Sequence, residues 1–147
     1  MLTLTQIKQR LIDWFSSHAQ INTVVFANDF EFSAERNLVY PVVNLSFIGS
    51  RINERMLDYS IKVKIGDLVS EDDTNLQDYV ISDSILIAED FFTFLQYEEG
   101  WVFTRSSTIR PLIDNGGDRI SGVEFTVIVS VVRSQNTCEK PVRSVIG

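Results

Sequence analysis

Gly122-Val123-Glu124-Phe125-Thr126-Val127-Ile128-Val129-Ser130-Val131-Val132 is the stretch that decides the fold. Val123, Phe125, Val127, Val129 and Val131 recur at every second position, which puts them on one side of an extended chain. The run 120–132 is therefore expected as one long strand with an apolar side to bury. It needs partners of the same kind, and the chain supplies them upstream. Tyr59, Ile61, Val63 and Ile65 alternate with Ser60, Lys62 and Lys64, while Val43, Leu45 and Phe47 alternate with Asn44 and Ser46. The polar link 49–54 between these two runs reads as a turn or bulge, and the two strands as an antiparallel pair.

Two other segments carry the helical period. Leu4, Ile7, Leu11, Trp14 and Phe15 form one face of a helix over 4–15 that Thr3 or Thr5 can cap. A longer helix is expected over 76–97, with Leu76, Tyr79, Val80, Ile87, Phe91, Phe94 and Leu95 in one broad stripe. Asp78, Ser82, Glu89, Thr93 and Gln96 fall on its other side, and Gly100 ends it. Residues 24–27, 101–103 and 107–113 read as shorter strands, with Pro111 marking an edge position or a strand end. Asp114-Asn115-Gly116-Gly117-Asp118 is a turn signal.

The order helix, strands, helix, strands gives an α+β fold, a mostly antiparallel sheet with both amphipathic helices packed on one face. The core is expected to hold Leu11, Phe15, Leu45, Phe47, Ile61, Val63, Leu86, Phe91, Leu95, Val127 and Val129. Residues 1–132 are expected as one domain and 133–147 as an extended C-terminal arm.

The chain has 147 residues, 44% of them hydrophobic, which is enough to bury a core without staples. Its single cysteine, Cys138, cannot form an internal disulfide, and folding in a reducing cytosol is the expectation. No secretory leader is visible at the start, and no run reaches the ~18 apolar residues of a membrane span, so no membrane partner is expected.

The net charge of −7 argues against wrapping nucleic acid through a broad basic surface. That charge is not spread evenly. Residues 67–99 contain 10 acids and no base, whereas 1–66 contain 7 bases and 6 acids and 100–147 contain 6 bases and 4 acids.

Candidate chemical sites are few. His18, the only histidine, has no Ser or Cys nucleophile motif beside it, and reads as a polar residue at a helix end. One His and one Cys fall short of a zinc ligand set. Glu71-Asp72-Asp73 and 114–118 offer oxygen ligands without the spacing of a calcium loop, and read as a solvated acidic loop and a hairpin turn. Gly116-Gly117 lacks the ending of a phosphate-binding loop. No catalytic residue, metal or cofactor is expected.

The chain resembles bacteriophage tail terminator proteins and related neck or tail-completion proteins. The likeness runs through the N-terminal helix, the strands 42–48 and 59–65, the acidic loop, the helix 76–97, the closing pair around 114–118 and the long final strand. It ends in a polar tail with Cys138-Glu139-Lys140-Pro141, a Cys-x-x-Pro-like pattern. The resemblance implies a virion structural protein: a homo-oligomeric ring at the head–tail junction, contacting neighbouring neck, portal-adaptor or tail proteins. DNA would pass through it without sequence-specific binding. The alternative is a small non-enzymatic bacterial adaptor or binding module on the same fold.

Two sets of residues are singled out for assembly. Glu71, Asp72 and Asp73 are expected to face the channel, where carboxylates would repel phosphates over about 8 Å in physiological salt, or to meet a neighbouring subunit. The arm carries Arg133, Lys140 and Arg143 against the single acid Glu139, with Val142, Val145 and Ile146 as apolar anchors. Fully extended it reaches at most ~50 Å, so it is expected to clasp an adjacent subunit.

Overall fold

Thr3 starts the first helix with a capping box. Its hydroxyl accepts from the Gln6 backbone N–H at 3.3 Å, and the Gln6 side-chain carbonyl accepts from the Thr3 N–H at 2.9 Å. The structure, a computed structural model, describes residues 2–26, 40–68, 74–103, 107–114 and 120–133. Within them helix α1 spans Leu4–Ser17, strand β1 Thr23–Phe26, β2 Val42–Ile52 and β3 Met56–Leu68. Helix α2 then spans Thr74–Tyr97, followed by β4 Val102–Phe103, β5 Arg110–Asp114 and β6 Ile120–Val132. The fold is α+β, and the sheet dominates it.

The six strands form one sheet in the order β1-β2-β3-β6-β4, with β5 also paired to β6. Its centre is the antiparallel ladder of β3 and β6, which runs in unbroken register from Met56↔Val132 to Leu68↔Ile120. Cross-strand partners share a face, so Tyr59, Ile61, Val63 and Ile65 lie with Val129, Val127, Phe125 and Val123, and all eight are buried. β1 joins β2 in parallel, from Thr23↔Val42 to Phe26↔Leu45, the one parallel pairing among the described strands.

Both helices add their apolar stripes to a single core. Ile7, Leu11 and Phe15 of α1 and Ile87, Ala88, Phe91 and Leu95 of α2 are buried in it together with the strand residues. α1 lies against β1, and α2 against β6 and β3. Phe91 is the hub. Its ring lies 4.6 Å from Phe15, 5.5 Å from Trp14 and 6.1 Å from Phe125, which ties the two helices to each other and to the sheet. Trp14 stacks on Phe94 at 5.4 Å along the seam.

Arg10 locks the far end of that seam. Its guanidinium donates to the Glu99 carbonyl at 2.7 Å and lies 3.3 Å from the Glu98 carboxylate, against the face of Trp101. Gly100, at φ 100°, supplies the left-handed residue that ends α2.

Two expected core positions are corrected, and one residue of the expected helical stripe. Phe47 is 42% exposed and Leu86 57%, and Tyr79, expected in the stripe, is 68% exposed. Phe47 does share a face with its partner Ile61, but β1 pairs with β2 only as far as Leu45, so Phe47 sits beyond the end of that strand. In α2 the inward stripe is Val80, Ser84, Ile87, Ala88, Phe91 and Leu95. Tyr79 and Leu86 each lie one residue, or about 100°, off it. The side chain of Leu76 lies outside the described residues.

Most of the link expected over 49–54 is strand instead, since residues 49–52 pair with β3. β2 continues to Ile52 with a bulge at Ile48, between Phe47 and Gly49. The turn follows, where the Asn53 side-chain oxygen accepts from the N–H groups of Arg55 at 3.0 Å and Met56 at 2.7 Å. β5 pairs with β6 alone, as the edge position of Pro111 requires.

Two glycines face each other in the central ladder, Gly66 opposite Gly122. A β-carbon on Gly122 would collide with the Ile65 carbonyl oxygen and approach the Gly66 Cα to 2.8 Å.

Two stability measurements check this packing. In urea denaturation Phe91→Ala is expected to cost about 3–5 kcal/mol, and Leu86→Ala less than ~0.5 kcal/mol; similar losses for the two would mean that α2 presents a different face to the sheet. Gly122→Ala is expected to cost about 1–3 kcal/mol or more by overpacking. Unchanged stability in that variant would contradict the close approach of β3 and β6.

Candidate functional site

Titratable groups that face one another are the first place to look for chemistry. His18 stands at the end of α1, its ring 5.4 Å from Trp14. Its Nδ1 accepts from the Gln20 backbone N–H at 3.2 Å, which leaves the proton of the neutral ring on Nε2, 3.2 Å from the Asp90 carboxylate. Nε2 thus joins α1 to α2, while Nδ1 is taken up by the turn that follows α1. Among the described residues no group of three or more His, Cys, Asp or Glu side chains is placed to hold a metal ion.

The sheet offers a different kind of site. Because Tyr59, Ile61, Val63 and Ile65 of β3 and Val123, Phe125, Val127 and Val129 of β6 turn into the core with the helices, the alternate positions form a second face. The register lines up Lys64 with Glu124 and Arg110, Lys62 with Thr126, and Arg51 with Asp58 and Ser130. Among the described side chains, four bases and two acids share this face, in a chain whose net charge is −7. Asp58 accepts from the Ser130 hydroxyl at 2.6 Å, and Lys62 reaches Glu124 at 3.7 Å.

A cleft of about 510 Å³ opens here. Ile48 and Ile128 form apolar parts of its wall, with Lys62, Arg110, Glu124 and Thr126 around them. The segment before β5 closes one side through Ser107 and Thr108, and the Ser107 hydroxyl donates to the Thr126 carbonyl at 2.7 Å. The bulge places Ile48 at the cleft, 55% exposed. Toward β1 the second face is sealed, with Val42, Asn44 and Ser46 buried and the Asn44 side-chain carbonyl lacking a hydrogen-bond partner among the described residues.

The outer surface of α2 is the opposite in charge. Asp78, Asp83, Glu89 and Asp90 are exposed along it, with no base anywhere in the helix. Tyr79, Leu86 and Tyr97 are 68%, 57% and 75% exposed. Their spacings of seven and eleven residues bring them to within about 20° of one line along the helix. Asp83 and Asp90 lie about one turn to either side of Leu86, roughly 60° and 40° around the helix from it.

The residues singled out from the sequence divide as follows. Glu71, Asp72 and Asp73 lie outside the described residues, as do Lys140, Arg143, Val145 and Ile146 of the arm. Arg133 is described, and it binds its own chain: its N–H donates to the Arg55 carbonyl at 2.8 Å and its guanidinium to the Asn53 carbonyl at 2.7 Å. The cleft was missed. Its signal was the polar half of the strand alternation, but only the register shows that Lys62, Glu124 and Arg110 meet. Compared with known proteins, the chain matches no family model and no curated sequence.

The Lys62–Glu124 pair is partly exposed, so it adds little to stability. A double-mutant cycle with alanine at both positions is expected to give a coupling below about 1 kcal/mol. A coupling of several kcal/mol would make the pair a structural member of the sheet rather than an available surface.

Proposed function

We propose that this chain is a non-enzymatic structural subunit that assembles with copies of itself into a ring at the head–tail junction of a bacteriophage, as a tail terminator, tail completion or neck protein. The observation that carries the proposal is the exposed apolar stripe Tyr79, Leu86 and Tyr97 on a helix whose other side already fills the core. A monomer gains nothing from large apolar side chains held in line in water, whereas an assembling subunit buries them. Exposed Phe47, Ile48, Ile52 and Val132 around the β2–β3 hairpin add a second such region.

The phage setting is supported by the order of elements, which resembles that of tail terminator and neck subunits. In this reading the partners are identical subunits and adjacent neck, portal-adaptor or tail proteins, and the protein ends up in the virion. The genome passes through the ring without sequence-specific binding, past a wall to which part of the acidic segment 67–99, Glu71, Asp72 and Asp73, contributes. The cleft beside Lys62 and Arg110 favours a second reading, a small bacterial adaptor that binds a partner there.

Negative-stain imaging and sedimentation of the purified full chain separate the two readings. The ring reading expects closed particles with a central opening wide enough for duplex DNA. A chain that stays monomeric at every concentration, alone and on purified phage tails, would overturn it in favour of the adaptor.

A further inference from the structure

The two exposed faces have matching chemistry. The outer stripe of α2 has an apolar centre, Leu86, with a carboxylate one turn away on each side, Asp83 and Asp90. The cleft on the second face of the sheet has an apolar centre, Ile48 and Ile128, with Lys62 and Arg110 beside it. We propose that the outer face of α2 in one copy docks onto the second face of the sheet in the next, head to tail.

This inference rests on the ring reading and deepens it by naming the contact. Three features point to a second copy as the occupant. The first is charge: six acids and no base lie along α2 and its C-terminal end, from Asp78 to Glu99, against four bases and two acids among the described side chains of the sheet face. A partner rich in bases would suit the helix and repel the sheet, and an acidic one would do the reverse. This chain carries both complements, and bringing its two faces together satisfies each with the other.

The second feature is length. From Tyr79 to Tyr97 the stripe runs about 27 Å at 1.5 Å per residue. From Asp58 to Lys64 the sheet face runs about 20 Å at 3.3 Å per residue, so the helix spans it from end to end. The third is architecture. Among the described residues both helices lie on one face of the sheet, and a helix from the next copy would supply a layer over the open part of the other. Leu86 would enter the cleft against Ile48 and Ile128, while Asp83 and Asp90 would meet Lys62 and Arg110. Asp90 keeps one oxygen on His18 and has the other to offer.

Such a contact uses two different patches, so every subunit can both give and receive, and repetition produces a ring or a filament rather than a pair. The test uses two charge reversals, Asp83→Lys on the helix and Arg110→Glu on the sheet, with Leu86→Arg as an independent third variant. Circular dichroism melts establish that each is folded, and sedimentation velocity measures assembly. Each single variant is expected to assemble at least about tenfold more weakly than the wild type. An equimolar mixture of the two reversals is expected to form a one-to-one complex, because each keeps the face that the other has lost. Reversed variants that form rings as the wild type does would overturn this contact and leave the ring reading standing. Folded reversals that fail to pair when mixed would overturn it as well, and a wild-type chain that never assembles would remove both.

Discussion

The unbroken register between β3 and β6 is the constraint on which the rest of the structure depends. Thirteen consecutive pairs leave no freedom in which side chains share a face. A slip of one residue would turn Ile61, Val63, Phe125 and Val127 away from the helices and bring Lys62 and Glu124 into the core. The ladder can run to its end only because Gly66 and Gly122 oppose each other there, where a side chain on Gly122 would meet the opposite backbone. One register thus determines at once the floor of the core and the composition of the exposed sheet face.

The helices answer to that floor through aromatic contacts. Phe91 touches Phe15, Trp14 and Phe125, so the rotation of α2 about its axis follows from the ring that must point inward. Once Phe91 and Leu95 face the sheet, helical geometry turns Tyr79, Leu86 and Tyr97 outward. Their exposure is therefore a consequence of core packing, and a polar residue at any of the three would leave the core as it is. What the fold does not explain is why those positions are apolar, and that is the part of the structure that calls for a partner.

Elements with a strong period were legible before any coordinates. The alternation in β3 and β6, the apolar stripe of α1 and Gly100 as the end of α2 all depend on local pattern, which the chain carries in consecutive residues. The sequence pattern puts Phe47 and Leu86 in the core, and Tyr79 in the stripe of α2, because hydrophobicity is taken as burial. That inference fails where a neighbouring strand stops short, as at Phe47, or where a helix is apolar on more than one side, as in α2. The parallel pairing of β1 was not legible, since strand direction depends on a connection rather than on period. Nor was the cleft, which joins residues from β2, β3, β5 and the segment before it, and β6. Arg133 was read as part of a free arm by its charge, yet carbonyl acceptors at the β2–β3 turn hold it.

The charge distribution bears on how such a subunit could assemble at all. A net charge of −7 makes identical copies repel at long range, and a symmetric contact between like patches would place acid against acid on α2 or base against base on the sheet. A head-to-tail contact avoids both, because every joint brings together opposite signs. It also makes geometry decisive. α2 and the sheet belong to one packed unit, held by Phe91 and by the Arg10 contacts to Glu98 and Glu99, so the rotation from one copy to the next is set by the angle between them. A fixed rotation that divides a full turn closes into a ring, and one that does not grows into a filament. If copies do close into a ring, the residues that govern its size would include Phe91 and Phe125, which fix α2 on the sheet away from the contact surface itself.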